Sequence, residues 1–392
     1  MFRLLAIVAL FTSLPAQVFN IEIITSVNTA PEILFLNDTL VAATDGGLLL
    51  YRTSDGQETR LTVKDGFFSQ RLSALDRSPR GLLIVGSITG EVSFLDLSNR
   101  QVTNDLSLSG EPVVDLAVAG DTLWVLTRKF VSVYRYDADT RTYRFIDFYN
   151  NFGRNFQDFT SLAVANGRVW VSTELGVLSA PSDYIRFNLK DAGQWQLLES
   201  SDGLPEGDIF KLAADDAHLY LATSQGLVVY DFQQFSAHKQ GLLSNRLVNV
   251  TVGQGQVFVH DEHRIYSFDG QQFQLIAQFP RFTLLDVTMS GAGELWASTD
   301  QRGLLNVSRG EHIRFDGPLT NFIGPLLLDH QGRLWCGSST QDVQRTTGLF
   351  MFDGEKWTNF KFFGPQLWNN LSATTSIEED AEGNIWVGSW EG

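Results

Sequence analysis

The residues best placed by type and spacing to do chemistry are His260-Asp261-Glu262-His263, two imidazoles three positions apart with two carboxylates between them. A turn can bring such a pair to one side, as a transition-metal site requires. The same pattern also suits a polar, solvent-exposed turn that binds nothing, and that is the expectation here. A second candidate is Arg128-Lys129-Phe130, whose cations suit an anionic group or plain solvation. The remaining histidines, His218, His238, His312 and His330, are scattered along the chain with no common spacing. No glycine-rich phosphate cradle, nucleophile elbow or paired-cysteine signature is present. The acidic turn from Asp380 to Asn384 lacks the alternating oxygen ligands of a calcium loop. The expectation is therefore a non-enzyme with no catalytic residue, no metal and no cofactor. Arg128, Lys129, His260 and His263 are its candidate ligand-binding positions.

The elements that must position these residues are written as one pattern nine times. Each copy has an apolar strand, a tight turn, a second strand with a large side chain at its second position, and then usually Gly before a third strand. In the fifth copy these are Ile209 to Leu212, Asp216-Ala217, Leu219 to Thr223 and Gly226 to Tyr230. The large residues are Val41, Ile84, Trp124, Trp170, Tyr220, Phe258, Trp296, Trp335 and Trp386, between 38 and 51 residues apart. That period belongs to propeller blades rather than to short solenoids or helical hairpins. Asn166-Gly167 and Gly120-Asp121 sit between apolar runs, where a two-residue hairpin needs positive φ. A fourth, more polar strand is expected at Gln194 to Leu198 and at Lys356 to Phe360. The fold class is all-β, a propeller of four-stranded antiparallel blades. Each blade must cover its faces with its neighbours, so the recurring Trp is expected as inter-blade core rather than as a carbohydrate platform. Turns between second and third strands lie at the rim of one propeller face, which is where Arg128-Lys129 and His260 to His263 fall.

Arg3 leads into an apolar run from Leu4 to Leu14 that is broken by Pro15-Ala16-Gln17, a secretory signal with cleavage after Ala16. That run is short for a bilayer span, and no later one is long enough. An exported chain, in the periplasm or on the bacterial surface, is implied. It carries one cysteine, Cys336, beside Trp335 where other copies have Val or Ala, so a small buried hydrophobe is expected there. The net charge of −16 excludes nucleic acid as a partner, since phosphate binding needs the opposite field.

Gly203-Leu204-Pro205 and Gly241-Leu242-Leu243-Ser244-Asn245 precede first strands, and Asp329 to Ser338 and Asp380 to Ser389 run Asp-x-x-Gly, hydrophobe, Trp. These segments resemble the two-component regulator propeller repeat. Ala42 to Leu48, Asp65 to Leu75 and Gly176-Val177-Leu178 with Trp195 are more particularly similar to PorZ-type propellers of the type IX secretion system. That resemblance implies two seven-bladed propellers and a C-terminal domain, acting at the cell surface with the sortase that attaches cargo to anionic lipopolysaccharide. Nine repeats exceed one ring. The expected organisation is a signal peptide at 1–16, a seven-bladed propeller at 17–320, and incomplete blades of a second propeller at 321–392 in a chain that continues further. The segment from Asn20 to Thr25 resembles a fourth strand completing a blade. The expected partners are proteins of a surface complex, or a carbohydrate or lipopolysaccharide ligand, the alternative function being the sensor region of a hybrid two-component regulator that recognises an oligosaccharide.

Overall fold

A computed structural model describes residues 22–339, 348–360 and 374–389. The expected signal peptide at 1–16, the segment from it to residue 21 and the final Trp390 to Gly392 lie outside the described residues. Eight sheets have four antiparallel strands each in simple up-and-down order, and a two-stranded hairpin follows them. Blades 1 to 7 occupy 32–61, 72–105, 113–149, 159–198, 209–238, 249–278 and 284–313; blade 8 is 323–360, and the last hairpin joins Thr374–Glu379 to Ile385–Ser389. The innermost strands of successive blades are neighbours, and that of blade 7, Leu284–Met289, returns to that of blade 1, Glu32–Leu36. Seven blades therefore close a ring. The hairpin packs its first strand on the innermost strand of blade 8, Ile323–Leu328.

Local chemistry explains why the pattern folds this way. Asn166 and Gly167 turn the first hairpin of blade 4 with φ of 48° and 69°, which these two residues adopt at little cost. At the end of the second strand a threonine hydroxyl donates to the carbonyl three or four residues on, as in Thr173 to Gly176 at 3.0 Å, Thr223 to Gly226 at 2.8 Å and Thr299 to Gly303 at 2.7 Å. The glycine is required because the fourth strand crosses directly above it. At Gly176, with φ of +145°, a Cβ would sit 2.2 Å from the Leu198 carbonyl oxygen. The Asp-x-x-Gly element has a similar purpose: Asp329 accepts amides from Gln331 and Arg333, and also the Trp335 indole N–H at 2.8 Å. Asp380 and Trp386 repeat that bond at 2.8 Å.

The large second-strand residues are inter-blade core from Val41 to Trp335, each less than a tenth exposed. Trp170 fills the seam between blades 4 and 5 with Leu204, Ile209 and Leu219. Trp386 departs from the series at 65% exposed, because no further blade covers its face among the described residues. Cys336 is buried against Phe350, and burial pushes its thiol up to about 11, so it behaves as a small hydrophobe.

Blade 7 contains all four of its strands within 284–313, so no strand is left for the N-terminus to supply. The described part of the segment expected as a fourth strand instead runs on as an extended strap, buried from Thr25 to Ala30. Its bonds are made largely by side chains rather than by a ladder. Asn28 donates Nδ2 to the Phe315 carbonyl at 2.9 Å and accepts the Phe315 amide at 3.0 Å. Asn321 clasps Ser26 in the same two-way manner, at 2.7 and 2.9 Å.

Candidate functional site

The closed ring points one position of each innermost strand toward its axis, the residue just before a buried aliphatic. Read around the ring that position holds Glu32, Ala74, Asp115, Ser161, Lys211, Asn249 and Asp286, followed by Ile33, Leu75, Leu116, Leu162, Leu212, Val250 and Val287. In blade 2 the alanine leaves space, and Asp76, two residues on and so on the same face of its strand, fills it. Of these, Glu32, Asp76, Asp115, Lys211, Asn249 and Asp286 line an axial cavity of about 370 Å³, while Ala74 and Ser161 are buried beside it.

The polar side chains are bonded from blade to blade. Glu32 accepts the Leu75 amide at 2.7 Å, Asp76 the Val118 amide at 2.6 Å, and Asp115 both the Leu162 amide at 2.9 Å and the Ser161 hydroxyl at 2.6 Å. Ser161 then accepts the Leu212 amide at 3.0 Å. Asn249 donates to Asp286 at 2.8 Å, and Asp286 closes the ring by accepting the Ile33 amide at 2.8 Å. Six of the seven seams carry such a bond. Lys211 reaches from blade 5 to carboxylates on two other blades, with Nζ 3.2 Å from Glu32 and 3.1 Å from Asp115.

Four carboxyl groups around one ammonium make the cavity strongly acidic. Burial pushes both Asp76 and Asp286 up to about 7, helped by the negative charge of Glu32 and opposed by the amides they accept. Burial likewise raises Glu32, against the pull of Lys211. For Lys211 burial works against the charge, but Asp115, Glu32 and Asp286 outweigh it and keep the ammonium well above the ordinary lysine range.

None of Arg128, Lys129, His260 and His263 lines this cavity. Arg128 and Lys129 are exposed in the turn after the second strand of blade 3, and Lys129 Nζ lies 2.5 Å from Glu111. The turn expected to be polar and exposed is only partly so: His260 is 1% exposed. Its Nδ1 donates to the Asp261 carbonyl at 2.9 Å, while His263 Nδ1 donates to the Phe282 carbonyl at 2.7 Å, so the two rings have separate backbone partners. Burial pushes His260 down to about 4 despite the Asp261 and Leu285 carbonyls. The axial residues were missed because nothing within its own mostly apolar strand marks any one of them out. The signal that finds them is the alignment of the innermost strands on the aliphatic that follows.

The two component regulator propeller signature matches residues 367–391. Among solved structures, PorZ of Porphyromonas gingivalis, described as an essential surface component of its type IX secretion system, matches with a TM-score of 0.72 at 18% identity. The match covers 94% of this chain and 50% of that one. The chain is a β-propeller similar in fold to PorZ. It spans half the length of that PorZ chain. The WD40 propeller of Doa1 matches at a TM-score of 0.54 and 12% identity, over 70% of this chain and 92% of that one. The extracellular domain of the putative hybrid two component system BT4673 of B. thetaiotaomicron matches at 0.45 and 16% identity, over 91% of this chain and 56% of that one. No curated protein matches by sequence. Among the described residues, no helix is long and apolar enough to cross a membrane.

Proposed function

We propose that this chain is the propeller region of an exported, non-catalytic assembly component of a type IX-like secretion and cell-surface attachment system. The observation that carries the proposal is the likeness to PorZ, which covers nearly the whole chain and so runs past the closed ring into blade 8. The axis supports a scaffold role. Its side chains bond blade to blade and stiffen the ring, leaving the outer faces for protein partners. The regulator-type signature at 367–391 favours a second reading, a periplasmic sensor region of a hybrid two-component regulator that binds an oligosaccharide.

One genetic experiment separates the two. The gene is deleted in its source bacterium and the surface proteome is quantified by mass spectrometry, with and without the restored full-length gene. A scaffold loses type IX cargo from the surface and regains it on restoration. Unchanged surface cargo, with a lost transcriptional response to one oligosaccharide, overturns the scaffold assignment and selects the sensor.

A further inference from the structure

The charges at the axis do not balance, and the geometry says where the imbalance lies. Of the seven innermost strands, five bring a charged group to the cavity: Glu32, Asp76, Asp115, Lys211 and Asp286; a sixth brings Asn249, and Ser161 of the seventh lies buried behind it, donating to Asp115. The one ammonium pairs with Glu32 and Asp115. Asp76 and Asp286 have no cationic partner within ion-pair distance among the described residues; what they accept are the amides of Arg77 and Val118, and those of Ile33, Val287 and Asn249. From the outer side of Leu284–Met289 the nearby titratable group is His260, which faces the Leu285 carbonyl.

We propose that the axial cluster is a proton-operated clamp on the ring, holding the seams between blades 2 and 3 and between blades 7 and 1 tightest when Asp76 and Asp286 are protonated, and loosening as they ionise. Fully ionised, the cluster holds four negative charges and one positive around one cavity, on side chains partly or wholly withdrawn from solvent. Protons on Asp76 and Asp286 remove that repulsion while the Lys211 bridge to blades 1 and 3 stays intact. The elevated affinity of both groups for protons, near neutrality, agrees with this. Both are bound to protons in the folded state at pH values where the unfolded chain has released them, so stability falls as pH rises from about 4 toward 7.

The test is equilibrium unfolding of the full chain from pH 5 to 8, comparing wild type with the Asp76→Asn, Asp286→Asn double variant. His260 titrates identically in both and cancels in the comparison. The expected result is that the wild-type unfolding constant rises with pH relative to the variant by on the order of a thousandfold between pH 5 and 7. Parallel pH profiles overturn the clamp. Should the variant fail to fold, carboxyl ¹³C titration of the wild type decides: two axial aspartates titrating near neutral pH support it, and four carboxyls ionised by pH 5 refute it. Exchange protection of the Ile33 and Val118 amides, corrected for intrinsic rate, should fall from pH 6 to 8 while that of Val171 stays constant. Equal change at all three places the effect outside the axis and also refutes it.

Discussion

The same repeat position should be worth very different amounts in two blades. Trp170 is 3% exposed, and its ring lies 5.7 Å from Tyr230 and 5.9 Å from Phe232, both belonging to blade 5. Its indole N–H donates to the Ala165 carbonyl at 3.1 Å. Replacing it by alanine removes the transfer energy of a large aromatic and leaves a hole between two sheets that cannot collapse without moving the ring, a loss of about 3–5 kcal/mol. Trp386 has the same place in its hairpin but is 65% exposed, and its indole bond to Asp380 is likewise exposed. Its truncation should cost under about 1 kcal/mol. Chemical unfolding followed by far-ultraviolet circular dichroism gives both numbers, provided refolding restores the signal. Comparable losses for Trp170→Ala and Trp386→Ala would refute the claim that neighbouring blades set the worth of this position. So would loss of partner binding by a Trp170→Ala protein of unaltered stability.

Other consequences are as specific. His260 is held neutral in the fold and titrates near 4, against about 6.5 when unfolded, so it adds stability above pH 6.5 that is lost as pH falls toward 4. His260→Gln should therefore flatten the acid limb of the stability profile, a change approaching about 3 kcal/mol by pH 4 and absent at pH 8. Asn28→Ala strips both backbone partners from Phe315 in the buried seam and should lower stability by about 1–3 kcal/mol, whereas Asn99→Ala on the exposed rim should change it by less than about 0.5 kcal/mol; thermal unfolding checks both. Among the described residues, blade 8 and the hairpin beyond it have no second set of neighbours such as ring blades have, so limited proteolysis of the 392-residue chain should first remove the segment after about residue 322. A fragment shortened instead within 32–313 would count against the ring as the more stable unit.

The repeat was legible because its chemistry is local. A turn that needs positive φ demands Asn-Gly, a crossing carbonyl demands glycine, and a face covered by a neighbouring sheet demands a large apolar group. All three leave marks within a few residues of each other. The strap was not legible in this way. Thr25 to Ala30 is extended, but it finds its partners nearly 300 residues away, and nothing in its own composition distinguishes a strand that joins a ladder from one held by two asparagines. His260 misled for a related reason. A polar run such as His-Asp-Glu-His signals exposure, yet the first histidine still belongs to the second strand and points into the seam toward blade 7.

The axial belt stands between these cases, and blade 8 shows what it requires. Pro325 occupies the position that holds Asp115 in blade 3 and Asp286 in blade 7. Proline offers no side-chain acceptor to a neighbouring amide, so blade 8 cannot make the bond that ties six seams of the ring. The difference is visible once innermost strands are aligned on their aliphatic residue: blade 8 has no acceptor at this position and, with Leu327 two residues on, none where blade 2 carries Asp76. A belt of this kind is also an electrostatic commitment. Each carboxylate that caps a neighbouring amide adds negative charge to one cavity, and a single lysine answers two of them. The ring therefore gains its closing hydrogen bonds by creating a cluster that must hold protons, which is why its stability and its pH response are properties of the same residues.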